Sequence, residues 1–116
     1  MKSERPFYYV LAEHTPVPLA SLEEWLDSVE YPATVAFTVI GTGYAVSTIF
    51  LGFDHNHLAM GLDLSVEESP PILFETAILS VSTEVMGRWS TFEEAMKEHG
   101  AAVERCQLAY ALAMKG

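Results

Sequence analysis

The sequence predicts an α+β domain: a small antiparallel sheet of three to five strands with two helices packed on one face. Three observations carry this. Strand-like and helix-like segments follow one another in the order β, α, β-hairpin, strand, long α. Two glycines, Gly41 and Gly43, punctuate a pair of β-branched runs. Two other segments join a capping pair to an apolar stripe at helical spacing.

Residues 7–11 form an apolar, aromatic run and read as the first strand. His14, Thr15, Pro16, Val17 and Pro18 follow, and the two prolines are expected to stop any ladder or helix there. Ser21 opens a helix, with Glu24 three residues on to complete a capping box. Leu22, Trp25, Leu26 and Val29 make one stripe; Glu23, Asp27 and Glu30 lie on another side and should face water. Pro32 ends this helix.

The run 34–40 is β-branched and aromatic, Gly41-Thr42-Gly43 permits a tight reversal, and 44–51 returns as its partner. Pro70 and Pro71 precede another strand over 72–79, which 81–85 either extends or leaves. Between them, 52–69 is long for a connection in a compact domain. Leu58, Met60, Leu62, Leu64 and Val66 alternate there, so the segment is either an added strand or a partly apolar surface stretch that could bind a partner or be buried between subunits. The last helix starts at Ser90 or Thr91, since Ser90 with Glu93 and Thr91 with Glu94 both have capping-box spacing. Phe92, Met96, His99, Val103, Cys106 and Tyr110 then follow helical spacing, and Gly100 could mark a bend or close packing.

At 116 residues the chain fits a single domain, residues 1–116, and its 50% hydrophobic content can fill a core. One cysteine excludes an internal disulfide and any zinc finger built on cysteine pairs. Residues 1–6 lack the apolar core of a signal peptide, and no apolar run approaches the ~20 residues that span a bilayer. A soluble, cytoplasmic protein is therefore expected. Sixteen acidic residues against six basic ones give a formal charge of −10. Such a molecule repels phosphate backbones and anionic membranes, so neither direct nucleic-acid binding nor membrane docking is expected. A protein with a basic surface is the better-matched partner, while the plain alternative is that the charge serves solubility.

Polar residues that could carry chemistry gather at Asp54, His55, Asn56 and His57, directly after the strand end Ile49-Phe50-Leu51. His14 and His99 add imidazoles. Glu75 shares a face with Leu73, Ala77 and Leu79, so its carboxylate should press against the core and require donors or a cation. Imidazole and carboxylate from His14, Asp54, His55 and Glu75 would suit a divalent metal such as zinc, iron or manganese, but no HExxH-type spacing is present. No other cofactor is implied. The plain reading is that Asp54 and Asn56 bond backbone amides in a turn while His14 and His99 are packed or surface residues. Cys106, on the apolar stripe, reads as a core thiol.

Three stretches carry a family resemblance: Ser47 to His55 as STxFLGxDH, Pro71 to Thr76 as PxLFET, and Arg88 to His99 as RxSTxxEAxxxH. The chain resembles a group of short uncharacterised proteins encoded by bacteriophages and prophages, with Val10, Leu11 and the 14–18 stretch fitting the same pattern. The resemblance implies a phage or prophage origin and a bacterial host cytoplasm, and brings no activity with it. The chain departs from the pattern in a longer 55–70 segment and in Leu79-Ser80-Val81-Ser82-Thr83, where a glycine-rich stretch is usual.

Two functions follow as expectations. The first is a non-enzymatic phage accessory protein that binds a host or phage protein, for instance as an inhibitor of a defence complex such as CRISPR. Its partner-binding residues would be Glu23, Asp27, Glu30, Leu58, Met60 and Leu62. The alternative is a small metal-dependent or acid–base enzyme using Asp54, His55 and Glu75 with a distal histidine. A virion or assembly component is a third class on which the residues are silent.

Overall fold

The computed structural model describes residues 8–28, 33–55 and 70–115. Its elements are β1 (Tyr8–Ala12), β2 (Thr15–Leu19), α1 (Leu22–Ser28), β3 (Thr34–Gly41), β4 (Tyr44–Phe50), β5 (Phe74–Leu79), β6 (Thr83–Trp89) and α2 (Phe92–Lys115). The α+β class holds: a four-stranded antiparallel sheet in the order β3-β4-β5-β6, a two-stranded hairpin β1-β2, and two helices. The long helix α2 packs on the four-stranded sheet, and α1 packs against the hairpin.

The hairpin corrects the expectation that Pro16 and Pro18 stop the ladder. β2 contains both and pairs with β1 in the register Ala12–Thr15, Leu11–Pro16, Val10–Val17, Tyr9–Pro18. Glu13 and His14 form the two-residue turn with φ of 48° and 77°, the left-handed pair of a type I′ turn. In such a hairpin the pair closing the turn exchanges hydrogen bonds, and every second pair does so thereafter. Both prolines fall at the intervening positions, where a residue's N–H would point away from β1 and is not needed. Tyr9, opposite Pro18, shows the same parity: its N–H points away from β2 and donates to Gly52 O at 2.9 Å. The outer edge of β2 is thereby short of donors and poorly suited to recruit another strand.

That Tyr9 bond, with the Tyr8–Phe53 bridge, ties the hairpin to the chain leaving β4. Gly52 is required at the junction. Its φ is 78°, and a Cβ there would lie 2.8 Å from Trp25 Nε1 of α1.

The β3–β4 hairpin forms as the glycines indicate, with Gly43 at φ 78°. After β5 the chain turns through Ser80–Ser82 and returns as β6, which settles the open question over 81–85. The N-cap of α2 is Thr91: its Oγ1 accepts from Glu94 N at 3.1 Å, and Glu94 Oε1 accepts from Ser90 N at 3.0 Å. Ser21 caps α1 in the same way, accepting from Glu24 N at 3.2 Å while Glu24 Oε2 accepts from Ala20 N. Val29, Glu30, Pro32 and residues 56–69 lie outside the described residues.

Core packing divides into two clusters along the sheet. Tyr9, Phe50, Leu73, Phe74 and Ala95 fill one end, where the hairpin joins the start of α2. Val46, Ile78, Ala102 and Cys106 fill the other. At that end Tyr110 lies against Gly41, whose hypothetical Cβ would sit 2.3 Å from the ring. Between the two clusters the buried residues are polar.

Candidate functional site

Strand parity and helix periodicity place Thr48, Thr76 and His99 in this gap. Val46, Thr48 and Phe50 alternate on β4, and Phe74, Thr76 and Ile78 on β5, all buried and all toward α2. His99 lies on the stripe of Ala95, Ala102 and Cys106. The side chains meet in one chain of hydrogen bonds. Trp89 Nε1 donates to Thr76 Oγ1 at 3.0 Å, Thr76 and Thr48 hydroxyls lie 2.7 Å apart, Thr48 Oγ1 is 2.7 Å from His99 Nδ1, and His99 Nε2 is 2.9 Å from Thr38 Oγ1. One residue comes from each of β3, β4, β5 and β6, with the imidazole of α2 between Thr38 and Thr48.

An indole N–H can only donate, so Thr76 accepts from Trp89. If Thr76 then donates to Thr48, Thr48 to His99 Nδ1, and His99 Nε2–H to Thr38, each bond has one donor and one acceptor with the imidazole neutral. Burial drives His99 the same way, lowering its pKa below the ordinary 6.5. Gly87 makes room for the indole, since a Cβ there would lie 2.3 Å from the Trp89 ring. The sequence signal for this relay was threonine at buried-face parity on two strands together with a histidine on an apolar helical stripe.

The cluster proposed from sequence is only partly assembled. Asp54 is fully buried, and its Oδ1 accepts from Ile72 N at 3.0 Å, so it clamps the chain entering β5. The His55 N–H donates to Ile72 O, and its ring stacks on Phe53 with centroids 4.9 Å apart. His55 Nε2 is buried without a hydrogen-bond partner. Burial lowers the His55 pKa below 6.5, Arg88 acts in the same sense, and Glu75 and Asp54 oppose them. Thus Asp54, His55, Glu75 and Arg88 share one electrostatic neighbourhood at the end of the sheet.

Glu75 requires a correction. It does share a face with Ala77 and Leu79, but that face is the one opposite α2, and the carboxylate is not pressed into the core. Its cation is Arg88, directly across the ladder, with Nε donating to Oε2 at 2.9 Å. Arg88 belongs to the cluster and was not among the residues singled out for chemistry.

His14 and His99 stand elsewhere. His14 is in the β1–β2 turn and stacks on Phe92 at 4.0 Å with planes 2° apart, pinning the turn to the start of α2. Among the described residues, no group of three or more His, Cys, Asp or Glu is placed to hold a metal ion. Cys106 is fully buried, and burial raises its thiol pKa, as befits a core residue. Glu23 and Asp27 are exposed on α1, while Glu30, Leu58, Met60 and Leu62 lie outside the described residues.

No protein-family model, curated protein or solved structure matches the chain. Among the described residues no helix is long and apolar enough to cross a membrane.

Proposed function

We propose that this chain is a non-enzymatic protein-binding module, an accessory protein of phage or prophage origin whose partner presents a basic surface. The observation that carries the reading is the acidic side of α1. Glu23, Glu24 and Asp27 are all exposed within one short helix that has no basic residue. The amino-terminal part of α2 adds exposed Glu93 and Glu94. Charge of one sign, held on rigid helices, steers association with an oppositely charged surface and disfavours polynucleotides.

The carboxylates of the polar cluster support the same reading. Asp54 accepts from a backbone amide and Glu75 from Arg88, so both have intramolecular structural partners. Competition for a basic groove on a host defence complex is one concrete form of such binding.

The test uses the tagged full chain as bait in a bacterial lysate, beside a Glu23→Lys, Asp27→Lys variant. Specific capture that weakens steeply as salt is raised, and is lost in the variant, is expected. Capture indifferent to both salt and charge reversal contradicts the reading. So does tight, salt-sensitive binding of purified protein to DNA or RNA.

A further inference from the structure

The relay under α2 has a direction, and proton counting sets it. At the β6 end the Trp89 indole donates to Thr76 Oγ1 and has no acceptor to offer in return. Thr48 and Thr76 are fully buried. Among the described residues their hydroxyls meet only each other, that indole and His99 Nδ1. Each hydroxyl carries one proton, so two protons need acceptors along this line. With Nδ1 unprotonated both are placed: Thr76 donates to Thr48, and Thr48 donates to Nδ1. With a proton on Nδ1 one of them is not. Thr48 then either accepts from both sides and strands its own proton, or donates to Thr76 and strands that one, since the indole cannot take it. A buried hydroxyl proton without an acceptor is costly.

We propose that this relay is a proton-sensitive catch: His99 is held as the neutral Nε2–H tautomer, and protonating Nδ1 breaks the run of hydrogen bonds and disturbs the Trp89 indole at its far end. Trp89 is placed to pass that disturbance to the root of α2. Its backbone oxygen accepts from Leu73 N at 2.9 Å, its ring fills the space beside Gly87, and the capping residues Ser90 and Thr91 come next in the chain. The helix that carries the histidine is therefore tied to the sheet twice by one relay, through the imidazole and through the tryptophan before its first turn.

No described neighbour is placed to offset the added charge. On α2 the residues one turn from His99 are Ala95, Met96, Ala102 and Val103, while Lys97 and Glu98 lie on other sides of the helix. Strands β3 and β4 carry no Asp, Glu, Lys or Arg, and the titratable Tyr44 packs edge-on against Tyr110. On β5, Glu75 faces away from α2 and is paired with Arg88 of β6. Glu84 of β6 lies across from Ile78 but is exposed. Cys106, further along the same stripe, has its thiol pushed up and stays neutral. Burial lowers the His99 pKa from 6.5, so the catch is closed near neutrality and opens in acid.

Nuclear magnetic resonance of the nitrogen-15-labelled full chain tests the proposal, with the His99 and Trp89 side-chain signals identified by their loss in His99→Gln and Trp89→Phe. At about pH 7.5 the His99 ring should show the Nε2–H tautomer alone. As pH is lowered from about 8 to about 5, the Trp89 indole N–H should move with the midpoint of His99. Thr76→Ser, which keeps the hydroxyl, should preserve that coupling. Thr76→Val should abolish it, leaving an indole signal that no longer follows the histidine. The tautomer is read without acid or substitution, so a variant that fails to fold does not remove the test. If the wild-type chain unfolds as His99 titrates, the acid midpoint of unfolding should move to lower pH in His99→Gln. An Nδ1–H tautomer or an even mixture at neutral pH overturns the proposal. So does an indole signal indifferent to His99, coupling that survives Thr76→Val, or an acid midpoint that His99→Gln leaves unchanged.

Discussion

The two faces of the β3–β6 sheet differ in how they hold their polar side chains, the covered one keeping a polar stretch between two apolar clusters. Under α2, where water is excluded, Thr38, Thr48, Thr76, His99 and Trp89 share a hydrogen-bonded relay. On the opposite side, Phe37, Val39 and Val85 stand in solvent. The covered face can hold polar groups because each finds a partner, and the partners come from all four strands at once. A slip of one residue in any strand would leave buried hydroxyls or an imidazole unpaired, so the relay fixes register as well as adding stability. The open face carries no such constraint.

The largest effect expected from breaking this contrast is at His99. His99→Ala would strand the Thr38 and Thr48 hydroxyls and leave a cavity beneath α2, for a loss of about 3 kcal/mol in denaturant unfolding. A loss below about 1 kcal/mol would mean that the relay contributes little.

Acid should act on the same group. Because the folded state lowers the His99 pKa below 6.5, the unfolded chain takes up a proton first as pH falls. Stability is then full above about pH 6.5 and declines as pH drops through the folded pKa. His55 shifts in the same direction and adds to the slope. Urea midpoints measured between pH 8 and about pH 4.5 check this, and His99→Gln should flatten part of the decline.

A smaller gain is expected at Gly100. It sits exposed inside α2, and a Cβ there would meet nothing within 4 Å, so neither close packing nor strain accounts for it. Gly100→Ala should raise stability by up to about 1 kcal/mol through helix propensity. The smallest effect should come from the open face: Glu75→Gln removes an ion pair whose arginine is 47% exposed, and should change stability by about 0.5 kcal/mol or less.

What the sequence reveals here follows from whether its signals are local. Both helices, the Ser21 cap and the Gly43 hairpin were legible because each is determined within a few residues, whereas the start of the long helix was narrowed only to Ser90 or Thr91. The β1–β2 hairpin was not, since proline removes a donor only where the ladder needs one, and Pro16 and Pro18 both occupy positions where it does not. Glu75 was assigned to the core because alternation shows which residues share a face without showing which face a helix will cover. The relay was hidden for a related reason: Thr48 and Thr76 read as ordinary β-formers until register brings them within 2.7 Å of each other. Arg88 likewise acquires its role only by lying across the ladder from Glu75.

Ser47 and Thr48 are neighbours on β4 with opposite orientations, so they test the contrast within one strand. Unfolding free energies should be measured for Ser47→Val and Thr48→Val at concentrations where the chain is monomeric. Thr48→Val should cost about 2 kcal/mol, because it leaves His99 and Thr76 without a shared partner. Ser47→Val should stay within about 0.5 kcal/mol of the wild type. Equal losses at the two positions, or a larger loss at Ser47, would contradict the assignment of the two faces.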